Sequence, residues 1–204
     1  MNYLICLLIG YLLGSLSLSA LLSKLTNKNL RKSGTGNLGA TNTFLVLGKT
    51  YGVIVMLVDI AKAFLAVRLA MLLFPEIDIA GMLAGFGAVL GHIFPFYMKF
   101  KGGKGLAAFG GMILGTDPLA FLILLTIALV LILIVNYSFA MPISAAILFP
   151  LLTWYRSKSI PRLVIATAAG AVIIIMHAGN VLKARRGADI KIREYIKKDL
   201  LSKK

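Results

Sequence analysis

This chain reads as an all-α integral membrane protein with about seven transmembrane helices, one of them short or re-entrant, the N-terminus outside and the C-terminus cytoplasmic. Three observations carry that reading. Hydrophobic residues make up 59% of the 204 and charged ones only 14%, far from the balance of a soluble domain. Apolar runs of bilayer length recur along the chain. The 22 Lys and Arg gather in alternate connections between those runs.

The first run, Tyr3–Leu22, carries no charge, and no Ala-x-Ala-type cleavage site follows it. It is therefore a retained span rather than a signal peptide. Runs at Tyr51–Phe74, Ile79–Tyr97, Pro118–Val135, Tyr137–Tyr155 and Leu163–Leu182 bring the number of spanning length to six. Between Gly105 and Gly115 lies LAAFGGMIL, about 16 Å long as a helix. It cannot cross alone unless its ends are buried in protein.

Charge decides how to count that short element. Residues 24–49, residues 99–104 and the tail after Val181 carry five, three and nine Lys or Arg, and the turn at Asn136 carries none. With seven crossings all of these fall inside. The outer connections then hold only Arg156, Lys158 and Arg162, beside Glu76, Asp78 and Asp117. Six crossings would put the nine tail cations outside, against the positive-inside rule. Residues 1–182 are thus expected as a single transmembrane catalytic domain and 183–204 as a basic cytoplasmic tail resting on anionic lipid. The net charge of +15 is accounted for by topology. Nucleic-acid binding is disfavoured, because no compact soluble domain presents a basic face. The lone Cys6, inside the first span, excludes an internal disulfide and a multi-cysteine metal site.

Three polar clusters fall on the inner side. In Phe94–Gly105, FPFYMKFKGGKG, an apolar segment breaks into Lys99, Lys101 and Lys104 with Gly102, Gly103 and Gly105. Glycines admit close backbone approach and lysines bring mobile positive charge, a combination suited to phosphate. Lys104, between two glycines at the start of the short helix, can join the helix dipole around an anion. Lys99 fits a topological role. Ser33–Asn42, SGTGNLGATN, supplies Thr35, Thr41, Asn37, Asn42, Gly36 and Gly39, running into a short helix from about Ala40. Its backbone N–H groups are expected to make an anion site, the plainer alternative being an ordinary Gly/Asn loop. His177 and Asn180 share one face of the last span at i,i+3. A histidine inside an apolar helix faces protein or a water-filled cavity, as ligand-holder or as acid/base. Asp59 and Lys62, also at i,i+3 within the second span, form either a structural tie or a functional pair. His92 faces the same cavity or a neighbouring helix, and Arg68 snorkels outwards.

What is missing narrows the chemistry. There is no G-x-S-x-G elbow, and neither histidine is followed five residues on by aspartate: Tyr97 and Leu182 stand there. Carboxylates are absent from the inner side before the tail. A covalent enzyme or a two-metal site is disfavoured. Positioning and charge stabilisation remain, which suffice when the substrate arrives activated.

At these residues the chain resembles the acyl-phosphate:glycerol-3-phosphate acyltransferase family, PlsY, over nearly its whole length. The matching elements are Gly14–Ser15, G-N-x-G-A-T-N at Gly36–Asn42, Leu47–Gly48–Lys49 and D-x-x-K at Asp59–Lys62. Further on come G-H-x-F-P at Gly91–Pro95, F-K-G-G-K-G at Phe100–Gly105 and H-x-x-N at His177–Asn180. The resemblance implies a multi-pass enzyme of phospholipid synthesis in the cell inner membrane, working at the cytoplasmic face without a cofactor. It would move a fatty acyl group from acyl phosphate to the 1-hydroxyl of glycerol 3-phosphate, giving lysophosphatidic acid and phosphate. Lys104, His177 and Asn180 would be catalytic. Thr35, Gly36, Asn37, Gly39, Thr41, Asn42, Lys101, Gly102, Gly103, Gly105 and Ser138 would bind substrate, with Asp59, Lys62 and His92 in support. The expected partners are the two substrates, membrane lipid and the enzyme that supplies acyl phosphate. Three positions depart from the family pattern. Leu45 stands where an arginine is usual, Val135–Phe139 lacks a basic residue before its turn, and Gly179 replaces a usual glutamate. The alternatives are a catalytically weakened family member and a phosphate- or phospholipid-handling transporter. A transporter should show inverted repeats, and none is visible in the sequence.

Overall fold

The structure, a computed structural model, describes residues 1–187; the rest of the expected basic tail, from residue 188, lies outside the described residues. Nine α-helices and a 3-10 turn make up the described residues: α1 Asn2–Ser15, α2 Leu18–Leu25, α3 Ala40–Leu47, α4 Lys49–Leu73, α5 Ala80–Ile93, the 3-10 turn Phe96–Met98, α6 Leu106–Thr116, α7 Pro118–Val135, α8 Ala140–Ser157 and α9 Ile160–Arg185. Four stretches are long and apolar enough to cross a bilayer by length and composition: Asn2–Leu25, Ala80–Met98, Pro118–Val135 and Ile160–Arg185. The other two expected runs are covered by helices α4 and α8, of 25 and 18 residues, which are not among those four.

The first run is not one helix but two. Ser15, Ser17 and Ser19 offer side-chain hydroxyls that compete with the backbone ladder. The Ser15 hydroxyl donates back to the Leu12 carbonyl, and Ser17 caps α2 by accepting from the Ala20 N–H. Leu16 between them is extended, which leaves its carbonyl to find a partner elsewhere.

Small residues let the helices meet closely. A Cβ on Gly10 or Gly14 of α1 would collide with the α5 backbone at Ala84 or Ala88. Gly87 and Gly91 of α5 return the fit against Leu7 and Tyr11. Two small-xxx-small stripes thus interlock, the packing that membranes favour because apolar burial gives no drive there. Tyr11 and Tyr97 lock the same end, donating to the Phe94 and Ser15 carbonyls at 2.7 Å each.

The short α6 has both length and burial as expected for an element that cannot span alone. Ala108, Phe109, Gly111, Met112, Ile113 and Gly115 are buried, with Gly111 against the Ile60 carbonyl of α4 and Gly115 against Val67. Phe109 meets Phe149 of α8 edge-on at 5.5 Å. At the far end of the bundle, Arg162 at the start of α9 donates to Asp78 just before α5, its Nε at 3.0 Å, and Arg156 pairs with Asp117.

Candidate active site

The other end of the bundle collects the polar loops. Lys104, just ahead of the Gly105 cap of α6, donates from Nζ to Asn180 Oδ1 on α9 at 2.5 Å. His177, one turn before Asn180, is 5% exposed and so faces protein rather than lipid. Its Nδ1 lies 2.9 Å from the Ile173 carbonyl. A carbonyl only accepts, so Nδ1 carries the hydrogen and Nε2 is left as the accepting nitrogen. The two loops flanking α3–α5 also join, because the Arg31 guanidinium donates to the Lys101 carbonyl. Arg31 was not legible as a site residue, since it sits in an ordinary basic stretch.

The glycine-rich loops differ from expectation in one respect. Their N–H groups are largely used inside the fold. Gly102 and Gly103 donate to the Ile93 and His92 carbonyls at 2.8 and 3.1 Å, capping the end of α5. Glycine is required there for closeness: a Cβ on Gly103 would collide with His92 and the Leu38 carbonyl. In the first loop, the Thr35 N–H donates to Asn42 Oδ1 at 2.6 Å, and Asn42 Nδ2 donates to the Leu30 carbonyl at 2.7 Å. Asn42 is 0% exposed. Its amide is the hub around which the loop closes. Gly36 donates to the Ser33 carbonyl at 3.1 Å and Asn37 to Thr35 Oγ1 at 3.4 Å. The groups facing outwards are therefore side chains. Thr35 and Thr41 are exposed, and Asn37 is half-buried. Lys101 is exposed beside half-buried Gly102, while Gly39 and Gly105 are buried. Ser138 sits exposed on the separate α7–α8 turn.

Asp59, Lys62 and His92 form one buried cluster. Lys62 Nζ lies 2.7 Å from Asp59 Oδ1, 3.0 Å from His92 Nδ1 and 2.6 Å from the Leu16 carbonyl. The chain's tie between α4, α5 and the α1–α2 break runs through this ammonium.

A cavity of about 390 Å³ opens at the opposite end, lined by Met71, Asp78, Met82, Asp117, Phe149 and Arg162 among others. Its lining includes none of the candidate site residues. Its aspartates are already matched by Arg156 and Arg162. No group of three or more His, Cys, Asp or Glu able to hold a metal ion occurs among the described residues.

An all-helical bundle with several helices apolar enough to cross a bilayer, and with a lysine, an amide and a buried imidazole at one end, defines a membrane-embedded protein. The comparisons with known proteins are specific. A family model described as glycerol-3-phosphate acyltransferase matches residues 4–187, and the chain belongs to that family. A glycerol-3-phosphate acyltransferase of Macrococcus caseolyticus is 38% identical over 197 residues, covering 95% of this chain and 98% of the relative. Two crystal structures of PlsY, an integral membrane glycerol 3-phosphate acyltransferase, share the fold. Its glycerol 3-phosphate form superposes with a TM-score of 0.86 at 32% identity, covering 94% of this chain and 96% of that one. Its lysophosphatidic acid form gives 0.84 at 31%, covering 94% and 95%. This chain is thus a multi-pass membrane protein of the same architecture.

Proposed function

We propose that this chain transfers a fatty acyl group from acyl phosphate to the 1-hydroxyl of glycerol 3-phosphate, releasing lysophosphatidic acid and phosphate. The observation that carries the reading is the Lys104–Asn180 hydrogen bond beside a buried His177 whose accepting nitrogen is free of the helix carbonyl. In the reaction, the glycerol oxygen bonds to the acyl carbon while the bond from that carbon to the phosphate oxygen breaks. The hydroxyl proton passes to a phosphate oxygen, and the phosphate leaves. No enzyme nucleophile is needed, because acyl phosphate is already an activated mixed anhydride. Lys104 and Asn180 hold phosphate, aided by the positive end of α6. His177 Nε2 accepts from the glycerol hydroxyl and aligns it. Thr35, Thr41, Asn37 and Lys101 complete the substrate end, with Gly36, Gly39, Gly102, Gly103 and Gly105 shaping it and Ser138 approaching from the α7–α8 turn.

The proposed frame is seven crossings made by α1–α2, α4, α5, α6, α7, α8 and α9, with the N-terminus outside and the site at the cytoplasmic face. Residues 1–182 are its catalytic domain and 183–204 its basic tail. The enzyme supplying acyl phosphate is its partner in the membrane. A weakened family member is the second reading, favoured by one observation: Leu45, where an arginine is usual, is 45% exposed on α3. Arg31 instead brings a guanidinium to the junction of the loops.

Purified protein incubated with palmitoyl phosphate and glycerol 3-phosphate is expected to release phosphate and lysophosphatidic acid. Absence of both products from folded protein would favour the weakened reading. Trapping an acylated Ser or His with acyl phosphate alone would overturn direct transfer.

A further inference from the structure

His92 lies outside the set of groups that meet substrate, yet its surroundings are unusually determined. The Lys62 ammonium has three N–H donors and no lone pair. Three acceptors stand within 3.0 Å of its nitrogen: the Leu16 carbonyl, Asp59 Oδ1 and His92 Nδ1. A ring nitrogen this close to an ammonium must accept, so the hydrogen of His92 sits on Nε2. Asp59 Oδ1 also lies 3.3 Å from the same Nδ1, so the carboxylate touches both bases of the cluster.

The Nε2 edge then matters because of what it faces. The same empty point at Gly103 is flanked by His92 Nε2 and by the Leu38 carbonyl, so a Cβ there would strike both. Leu38 belongs to the first polar loop, and Gly103 precedes Lys104 in the second. The His92 carbonyl also accepts from the Gly103 N–H at 3.1 Å. Both ends of this one residue thus bear on the Lys104 loop, and the residue is only 8% exposed.

We propose that His92, fixed by Asp59–Lys62 as the Nε2–H tautomer, is a positioning residue that seats the Leu38 and Gly103 loops against each other and so sets the substrate pocket. The proposal rests on the reading that those loops hold glycerol 3-phosphate. Its first test does not. The chain has two histidines, so nitrogen-15 NMR of histidine-labelled protein in lipid, compared with a His177→Asn variant, reads His92 directly. The Nε2–H tautomer is expected at neutral pH; an Nδ1–H tautomer or an imidazolium would overturn the proposal whether or not the protein proves to be an acyltransferase.

The second test separates positioning from structure. Lys62→Met strands Asp59 and can fail to fold, so the double variant Asp59→Asn/Lys62→Met, which removes both charges, is measured with it. In the folded double variant KM for glycerol 3-phosphate is expected to rise about tenfold with kcat within about threefold of wild type. His92→Leu should match that loss, and His92→Gln, which offers an N–H near the Nε2 position, should recover most of it. Wild-type KM in a folded double variant or in His92→Leu would overturn the proposal.

Discussion

The two ends of the bundle handle cations in opposite ways. At the α5/α9 start, Arg162 meets Asp78 and Arg156 meets Asp117, so each guanidinium has a carboxylate. At the other end, Lys104 meets an amide oxygen and Arg31 a backbone carbonyl. The segments there, residues 1–58 and 94–105, contain no Asp or Glu. A neutral acceptor holds a cation in place without a carboxylate's opposing charge. The first end is a tie; the second is the one where we propose that phosphate binds.

The comparison breaks most sharply at Lys104. Lys104→Ala is expected to lower kcat/KM by about a thousandfold or more in the acyl phosphate assay, the range for losing a preorganised charge. A loss no greater than that from Lys99→Ala would reduce both to bulk charge. Next comes His177→Ala, expected to cost about a hundredfold with an unaltered fold by circular dichroism. His177→Asn, which keeps an acceptor, should recover part of that loss if alignment is the role.

Arg31→Ala is expected to cost about tenfold, chiefly in KM, by loosening the junction with Lys101. The smallest effect belongs to the tied end. Arg162→Gln should leave kcat/KM within about twofold. Its melting shift should be of a degree or two, because the Asp78 side chain is 67% exposed and solvent screens the pair to about 0–1 kcal/mol. A large activity loss from Arg162→Gln would mean that the paired end takes part in the chemistry.

Much of this site was legible because its residues are costly where they stand. His177 in an apolar helix and Lys104 between glycines have few bland explanations, and the structure brings both to one end. The α6 boundaries were legible from Gly105 and Gly115. What stayed hidden depends on three-dimensional pairing. The break at Leu16 needs the Lys62 ammonium to donate to its carbonyl, and Lys62 is 46 residues away. Asn42 and Gly103 look like ligand-facing loop residues by type. Only the Leu30 and His92 carbonyls reveal that one closes a loop and the other caps a helix.

The interlocked glycines of α1 and α5 also bear on how the protein is made. α1 leaves the ribosome well before α5, and its matching surface is not complete until Ile93 has been added. At roughly 5–20 residues per second the wait is several seconds. During it, Gly10 and Gly14 present bare backbone to lipid with nothing to fit them. A translocation machinery that holds α1 at its lateral exit until α5 arrives would spare the chain that interval. Weakening the stripe, as in Gly14→Leu, should therefore show first as protein degraded during insertion rather than as a slower enzyme.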